Sequence, residues 1–133
     1  MRTLTACVIA ISLAAAPATA ASLSRTVPTG VKTKIATHAA LDGSCKPQHI
    51  VLKITTQPAN GSVTMTQENI AQPDVTPLGG PQRCAGTVTP TVVLYYQSKP
   101  DFTGQDQFKY DRINQDDPND RLNGEMIMTI TVK

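Results

Sequence analysis

The sequence predicts an all-β sandwich, on three observations. Apolar and polar residues alternate in several short runs, most clearly in the last one. There Met126, Met128, Ile130 and Val132 share one face and Glu125, Ile127, Thr129 and Thr131 the other. Clusters of Pro, Gly, Asn and Asp separate these runs. Past the first twenty residues, no segment spaces its apolar residues as a helix would over ten or more positions.

Residues 1–20 read as an export signal. Arg2 supplies the positive start, an apolar run follows, Pro17 breaks it, and Ala18-Thr19-Ala20 offers the small residues a signal peptidase needs. The run is too short to span a bilayer as a stable helix. Cleavage after Ala20 leaves residues 21–133 as one domain.

Residues 21–26 are small and polar and read as a flexible start. After the turn signal Val27-Pro28-Thr29-Gly30, Val31, Thr33, Ile35 and Thr37 alternate with Lys32, Lys34, Ala36 and His38, as in a half-exposed strand. Residues 41–48 carry Asp42-Gly43, Cys45 and Pro47 and read as a loop. In residues 49–56, Ile50, Leu52 and Ile54 share one face. Gln57-Pro58-Ala59-Asn60-Gly61 is a hairpin signal, because Asn-Gly suits the turn that matches strand twist. Residues 62–67 return as a strand with Val63 and Met65 on one face. Residues 69–83 hold Pro73, Pro77, Gly79, Gly80 and Pro81, and that density of breakers predicts a long surface loop. Residues 87–97 are rich in β-branched and aromatic side chains, and Pro90 splits this strand or marks an edge. Residues 114–123 are polar and acidic.

The formal charge is +2 with 12 basic and 10 acidic residues, and the basic ones form no stripe. That balance argues against a nucleic-acid partner. Tryptophan is absent, so the core must be built mostly from Val, Ile and Leu with a few Phe and Tyr. Cys7 falls within the signal. Cys45 and Cys84 remain, and an even count in an exported chain predicts one disulfide between them. On chain entropy such a link stabilises by about 4 kcal/mol.

The stretch that organises the chain is Pro100-Asp101-Phe102-Thr103-Gly104-Gln105-Asp106-Gln107-Phe108-Lys109-Tyr110. It reads as a tight turn feeding a buried strand. Gly104 supplies backbone freedom. Asp106 is a short acceptor for nearby backbone amides that fixes the turn. Phe108 and Tyr110 fall on one strand face.

This stretch resembles the signature of bacterial immunoglobulin-like and cadherin-like repeat domains. Pro58 and Gly61 match that family's Pro-x-x-Gly hairpin. Tyr96, Pro100, Phe102, Gly104, Asp106, Phe108 and Tyr110 match its spaced motif, and residues 124–132 match its closing strand. The resemblance implies an immunoglobulin-like Greek-key β-sandwich of about seven or eight strands, and a role as a surface or envelope module. The chain departs from the family pattern in its two cysteines, its long Pro/Gly loop and its single domain. The spacing of Asp106 and Tyr110 is similar to that of the acid and tyrosine near the sixth immunoglobulin strand, where the phenol bonds backbone across a corner.

Candidate chemistry is sparse. His38 and His49 are the only histidines, and nothing in the sequence sets either beside a nucleophile and an orienting acid. Both are expected on solvent-facing strand positions. Asp116, Asp117, Asn119 and Asp120 are hard oxygen ligands suited to calcium, but Pro118 interrupts them and their spacing is not that of an EF-hand. A solvated turn is the preferred reading. Met126 and Met128, with His38 or His49, are weaker copper candidates against a plain core role.

The expected function is therefore non-enzymatic, in a periplasmic or secreted protein that does not span the membrane. It is a module binding a protein or glycan partner, or serving a structural role in the cell envelope, with no cofactor unless the acidic loop takes calcium. Leu78, Gly79, Gly80, Pro81, Gln82 and Arg83 form the candidate binding loop, since a loop tethered by a disulfide is preorganised. The rival readings are an exported protease inhibitor on the same scaffold, and a small hydrolase or metal-binding periplasmic protein.

Overall fold

Seven strands run through the chain in a computed structural model that describes residues 20–76 and 80–133. They are β1 (Ala21–Val27), β2 (Thr33–His38), β3 (Ile50–Thr56), β4 (Gly61–Ala71), β5 (Val88–Ser98), β6 (Gly104–Asn114) and β7 (Gly124–Val132). One sheet has the order β1-β7-β6-β3 and the other β2-β5-β4. The fold is all-β, with two sheets packed as a sandwich and the expected disulfide in place. The expected export signal, apart from Ala20, lies outside the described residues, as do Leu78 and Gly79 of the candidate loop.

The core follows from the alternation. β6 and β7 occupy the middle of the four-stranded sheet, and their inward residues Phe108, Tyr110, Met128 and Ile130 are fully buried. Leu94 and Tyr96 meet them from β5, the central strand of the other sheet. Each such side chain taken out of water contributes about 1.5–3 kcal/mol. The rings of Phe108 and Tyr110 stack at 5.7 Å. A bulge at Ile35 interrupts the β2–β5 register and lets both Ile35 and Ala36 pack on the core.

Five expectations change. Residues 21–26 form no loose start. They are the body of β1, which pairs in parallel with β7 from Ala21↔Met126 to Val27↔Val132. β1 is an edge strand, so most of its residues stay exposed and its sequence carries little alternation. Val31 lies outside β2 and is exposed.

Pro90 does not split β5. It sits where β5 has outrun β2, beyond the His38↔Val92 pair, so a missing N–H on that side costs no ladder bond. The breaker-rich stretch after β4 is also more regular than expected. β4 extends to Ala71, and the ladder with β5 continues through Gln72 N–H to Thr87 O (3.0 Å) and Gln82 N–H to Asp74 O (3.0 Å).

Finally, Pro58–Gly61 is not a hairpin. β3 belongs to the four-stranded sheet and β4 to the three-stranded one. The connection is therefore an arch between layers. Neither Asn60 nor Gly61 has the positive φ that a tight Asn-Gly hairpin turn requires. Gly61 is needed for close approach instead, since a Cβ there would lie 2.6 Å from the Tyr96 ring.

Candidate functional site

The inward face of β6 reaches both ends of the sandwich, and it organises each with a polar residue. At one end lies Asp106, almost fully buried. Its carboxylate accepts the amides of Ala59 and Asn60 (both 3.0 Å) and the hydroxyl of Tyr96 (2.7 Å). It also accepts the amide of Gln107 (3.0 Å). The expected role of fixing its own turn is thus the lesser one; Asp106 clasps the distant arch between β3 and β4. Burial first, and then the Asp106 carboxylate, raise the Tyr96 phenol well above its ordinary range.

The β5–β6 turn beside it uses positive φ at Asp101 and Gly104. Thr29 Oγ1 donates to Phe102 O at 2.6 Å. The signature residues Pro58, Gly61, Tyr96, Pro100, Phe102, Gly104 and Asp106 all gather at this end and hold its short connections. Tyr110 does not bond backbone across a corner as its spacing suggested. Its hydroxyl meets His38 Nε2 at 2.9 Å, and burial pushes its own pKa up to about 12.

His38 corrects a second expectation. It is not solvent-facing but half-buried, edge-on to Tyr110 with ring centroids 5.5 Å apart. Desolvation, helped by the Arg112 charge, lowers its pKa to about 4. His49 is exposed, just before β3.

At the opposite end the described residues of three longer connections converge: residues 39–49, 72–76 with 80–87, and 115–123. In the first, Asp42 folds a tight turn. Its Oδ1 accepts the amides of Ser44 (2.8 Å) and Lys46 (2.9 Å), and these bonds hold its carboxyl below the usual carboxylate range. Leu41 and Pro47 bridge across that turn's base. The second connection is a narrow hairpin extension closed by Thr76 N–H to Gly80 O at 2.7 Å. The disulfide Cys45–Cys84 joins the two, with Cα atoms 5.4 Å apart.

The third connection hangs on Arg112 and Asn114, which continue the buried face of β6 at 1% and 2% exposure. Arg112 Nη1 donates to Asp120 Oδ2 at 3.0 Å and to Asn123 Oδ1 at 3.4 Å. Asn114 Nδ2 donates to the same Asp120 oxygen at 3.0 Å and to Gln48 Oε1 at 2.9 Å. Burial works to raise the Asp120 carboxyl. Hydrogen bonds from Leu122 N–H, Asn114 and Arg112 outweigh it and keep the pKa low.

Asp116 Oδ2 accepts the amide of His49 at 2.6 Å, and Gln115 N–H donates to His49 O at 2.9 Å. The 39–49 connection is therefore tied to both neighbours, covalently on one side and by hydrogen bonds on the other.

The acidic loop is more than a solvated turn. Asp116, Asp117 and Asp120 each face a different protein donor, and Asn119 gives its amide to Asp117 Oδ1. Among the described residues no group of three or more His, Cys, Asp or Glu side chains is placed to hold a metal ion. Met126 and Met128 lie in the hydrophobic core. Neither histidine ring bonds a serine or threonine hydroxyl among the described residues.

Of the candidate binding loop, Pro81, Gln82 and Arg83 form one wall of a groove whose other wall is Ala39, Ala40 and Leu41; Cys84 closes it. Gly80 lies nearby, bonded to Thr76. Arg112, Asn114 and Gln48 went unrecognised from sequence. The signal was present for two of them, since the alternation Asp106, Phe108, Tyr110 extends to positions 112 and 114.

No protein-family model, curated protein or solved structure matches the chain. Among the described residues no helix is long and apolar enough to cross a membrane.

Proposed function

We propose that this chain is an exported, non-enzymatic module of the bacterial immunoglobulin-like and cadherin-like type, which binds a protein or glycan partner in the envelope or outside the cell. The observation that carries the reading is the coupling of three connections at one end into a single preformed surface. Binding there would order few new groups, and ordering is a main cost of recognition. The strand order supports the immunoglobulin-like Greek-key assignment, with β1 parallel to β7 and the chain changing sheets between β1 and β2, β2 and β3, β3 and β4, and β5 and β6. The disulfide supports a periplasmic or secreted setting, because such bonds persist in oxidising compartments.

Site-specific photo-crosslinking in cells exporting the chain tests the protein-binding form, with the crosslinker at Lys46 or Arg83 and a control at Lys99 on the opposite end. Discrete adducts from the first two positions alone are expected. A glycan array tests the other form, comparing wild type with Gln82→Ala/Arg83→Ala. No adduct and no glycan signal dependent on these positions would reject the reading.

A further inference from the structure

The sequence contains two Asn-Gly pairs, Asn60-Gly61 and Asn123-Gly124. In such a pair the glycine nitrogen can attack the asparagine side chain, because no Cβ on the glycine obstructs the approach. The fold treats the two pairs in opposite ways.

Asn123 is locked. Its Oδ1 accepts from Arg112 Nη1 (3.4 Å) and from the amide of Asn114 (2.6 Å). Its Nδ2 donates to Asp117 O (3.0 Å) and Pro118 O (3.4 Å). Swinging this side chain toward Gly124 N would break the network that anchors the acidic loop.

Asn60 is only half-buried, and its side chain makes no hydrogen bond among the described residues. Its main chain is held instead. Its N–H donates to Asp106 Oδ2, and its carbonyl accepts the N–H of Lys99 at 2.8 Å. The second bond makes Asn60 and Lys99 a hydrogen-bonded pair, so the next pair along the ladder, Gly61↔Ser98, is not one. Gly61 N–H therefore turns away from β5, toward the open side of β4, which is an edge strand. Before attacking, this nitrogen must lose its proton, and the resulting charge spreads onto Asn60 O. Lys99 N–H already donates to that oxygen, and the Tyr96 hydroxyl lies 3.5 Å from it. Donors aimed at an oxygen where charge develops lower the barrier.

We propose that Asn60 is a site of spontaneous deamidation, with water as the only co-reactant, and that the change loosens the arch. Gly61 N bonds to Asn60 Cγ, the Cγ–Nδ2 bond breaks, and ammonia leaves with the proton lost by Gly61. The cyclic imide then takes up water. Opening at Cγ restores the normal chain with an aspartate at position 60. Opening at the main-chain carbonyl carbon routes the chain through Cβ and Cγ and leaves a free α-carboxylate, an isoaspartate. The second product inserts a backbone atom between the amide that Asp106 holds and Gly61, which packs on the Tyr96 ring. Either product sets a negative charge beside the buried Asp106 carboxylate, and like charges there repel. The site lies at the Asp106 end and does not depend on what the loop end binds.

The oxidised protein is incubated in mildly alkaline buffer, and both Asn-Gly pairs are followed by peptide mapping with electron-transfer dissociation, which separates aspartate from isoaspartate. The chain unfolded in urea is the reference, in which the two pairs should convert at similar rates. In the folded protein Asn60 should convert at least about tenfold faster than Asn123, the rate equivalent of about one hydrogen bond of ordinary net strength. Converted protein should melt below fresh protein and lose hydrogen-exchange protection at the Ala59 amide. Asn60→Gln keeps an amide but needs a larger, slower ring, and its melting temperature should hold through the same incubation. The proposal is overturned if Asn123 converts as fast as Asn60, or if Asn60 survives in the folded protein while the unfolded chain converts. It is equally overturned if converted protein melts as fresh protein does.

Discussion

The two ends of the sandwich hold their connections by different means. At the signature end the links are short: residues 28–32, 57–60 and 99–103. One buried carboxylate, Asp106, ties the arch to the core of both sheets. At the other end the links are longer, and no single residue spans them. A disulfide joins two, and the Arg112–Asp120–Asn114 network anchors the third. Short connections leave few backbone groups to satisfy, so Asp106 serves the arch and the Thr29 Oγ1 bond to Phe102 O ties the other two. Longer ones lose more entropy on ordering and need a covalent or multiply bonded tie. The contrast also separates roles. The signature end is closed tightly around Asp106, and the longer end supplies the surface on which the proposed recognition rests.

The largest effect is expected at the signature end. Asp106→Ala removes three charge-assisted bonds to the arch and Tyr96, each worth about 1.5–3 kcal/mol, so the net loss should be roughly 5 kcal/mol after the relieved cost of burying the charge. Denaturant unfolding measures it. Asp106→Asn should fall between the two. A loss below about 1 kcal/mol would mean the clasp is not what holds this end.

Next, Cys45→Ser/Cys84→Ser should cost about 4 kcal/mol, since the bond closes a sequence separation of 39. Amide exchange should rise at residues 39–49 and 72–87 while the arch keeps its protection. Uniform exchange at both ends would erase the distinction between them.

Acid should act on the side of the longer loops through His38. Its imidazole titrates near 6.5 when unfolded and near 4 when folded. Between those values the unfolded chain binds the extra proton. Stability is therefore highest above about 6.5, falls as the pH is lowered, and levels off below about 4. The full loss is about 3 kcal/mol. His38→Gln, which retains a partner for Tyr110, should flatten that slope. An unchanged slope would overturn the assignment to His38, because Asp120, whose carboxyl is held below its ordinary 3.8, withdraws stability only at lower pH.

The smallest effect concerns Gly61→Ala. The new methyl must push the Tyr96 ring away from Asp106, and overpacking of this kind costs about 2 kcal/mol. Melting temperature gives the readout. A neutral result would show that the arch, unlike its clasp, tolerates adjustment.

Much of the scaffold was legible because burial imposes a period of two. The inward faces of β3 and β7 could be assigned residue by residue, as could Phe108 and Tyr110 on β6, and the disulfide followed from cysteine count and the expected compartment. The errors share a cause. β1 was missed because an edge strand exposed over most of its length carries little alternation. Pro58–Gly61 was misassigned because a turn signal marks a reversal without saying which sheet receives the returning strand. Arg112 was overlooked because a charged residue at an inward position becomes intelligible only once Asp120 and Asn123 fold back to meet it.

The sequence by itself determined the extended conformation, the alternating faces and the pairing of Cys45 with Cys84, since these depend on local spacing and on residue identity. Only the tertiary structure decided that Asp106 serves an arch 46 and 47 residues away. It also decided that His38 shelters against Tyr110 and that Met65, opposite the core residue Leu94, stays exposed. These are relations between residues remote along the chain. They arise when two layers stack and choose which groups face each other, and a local pattern contains no record of that choice.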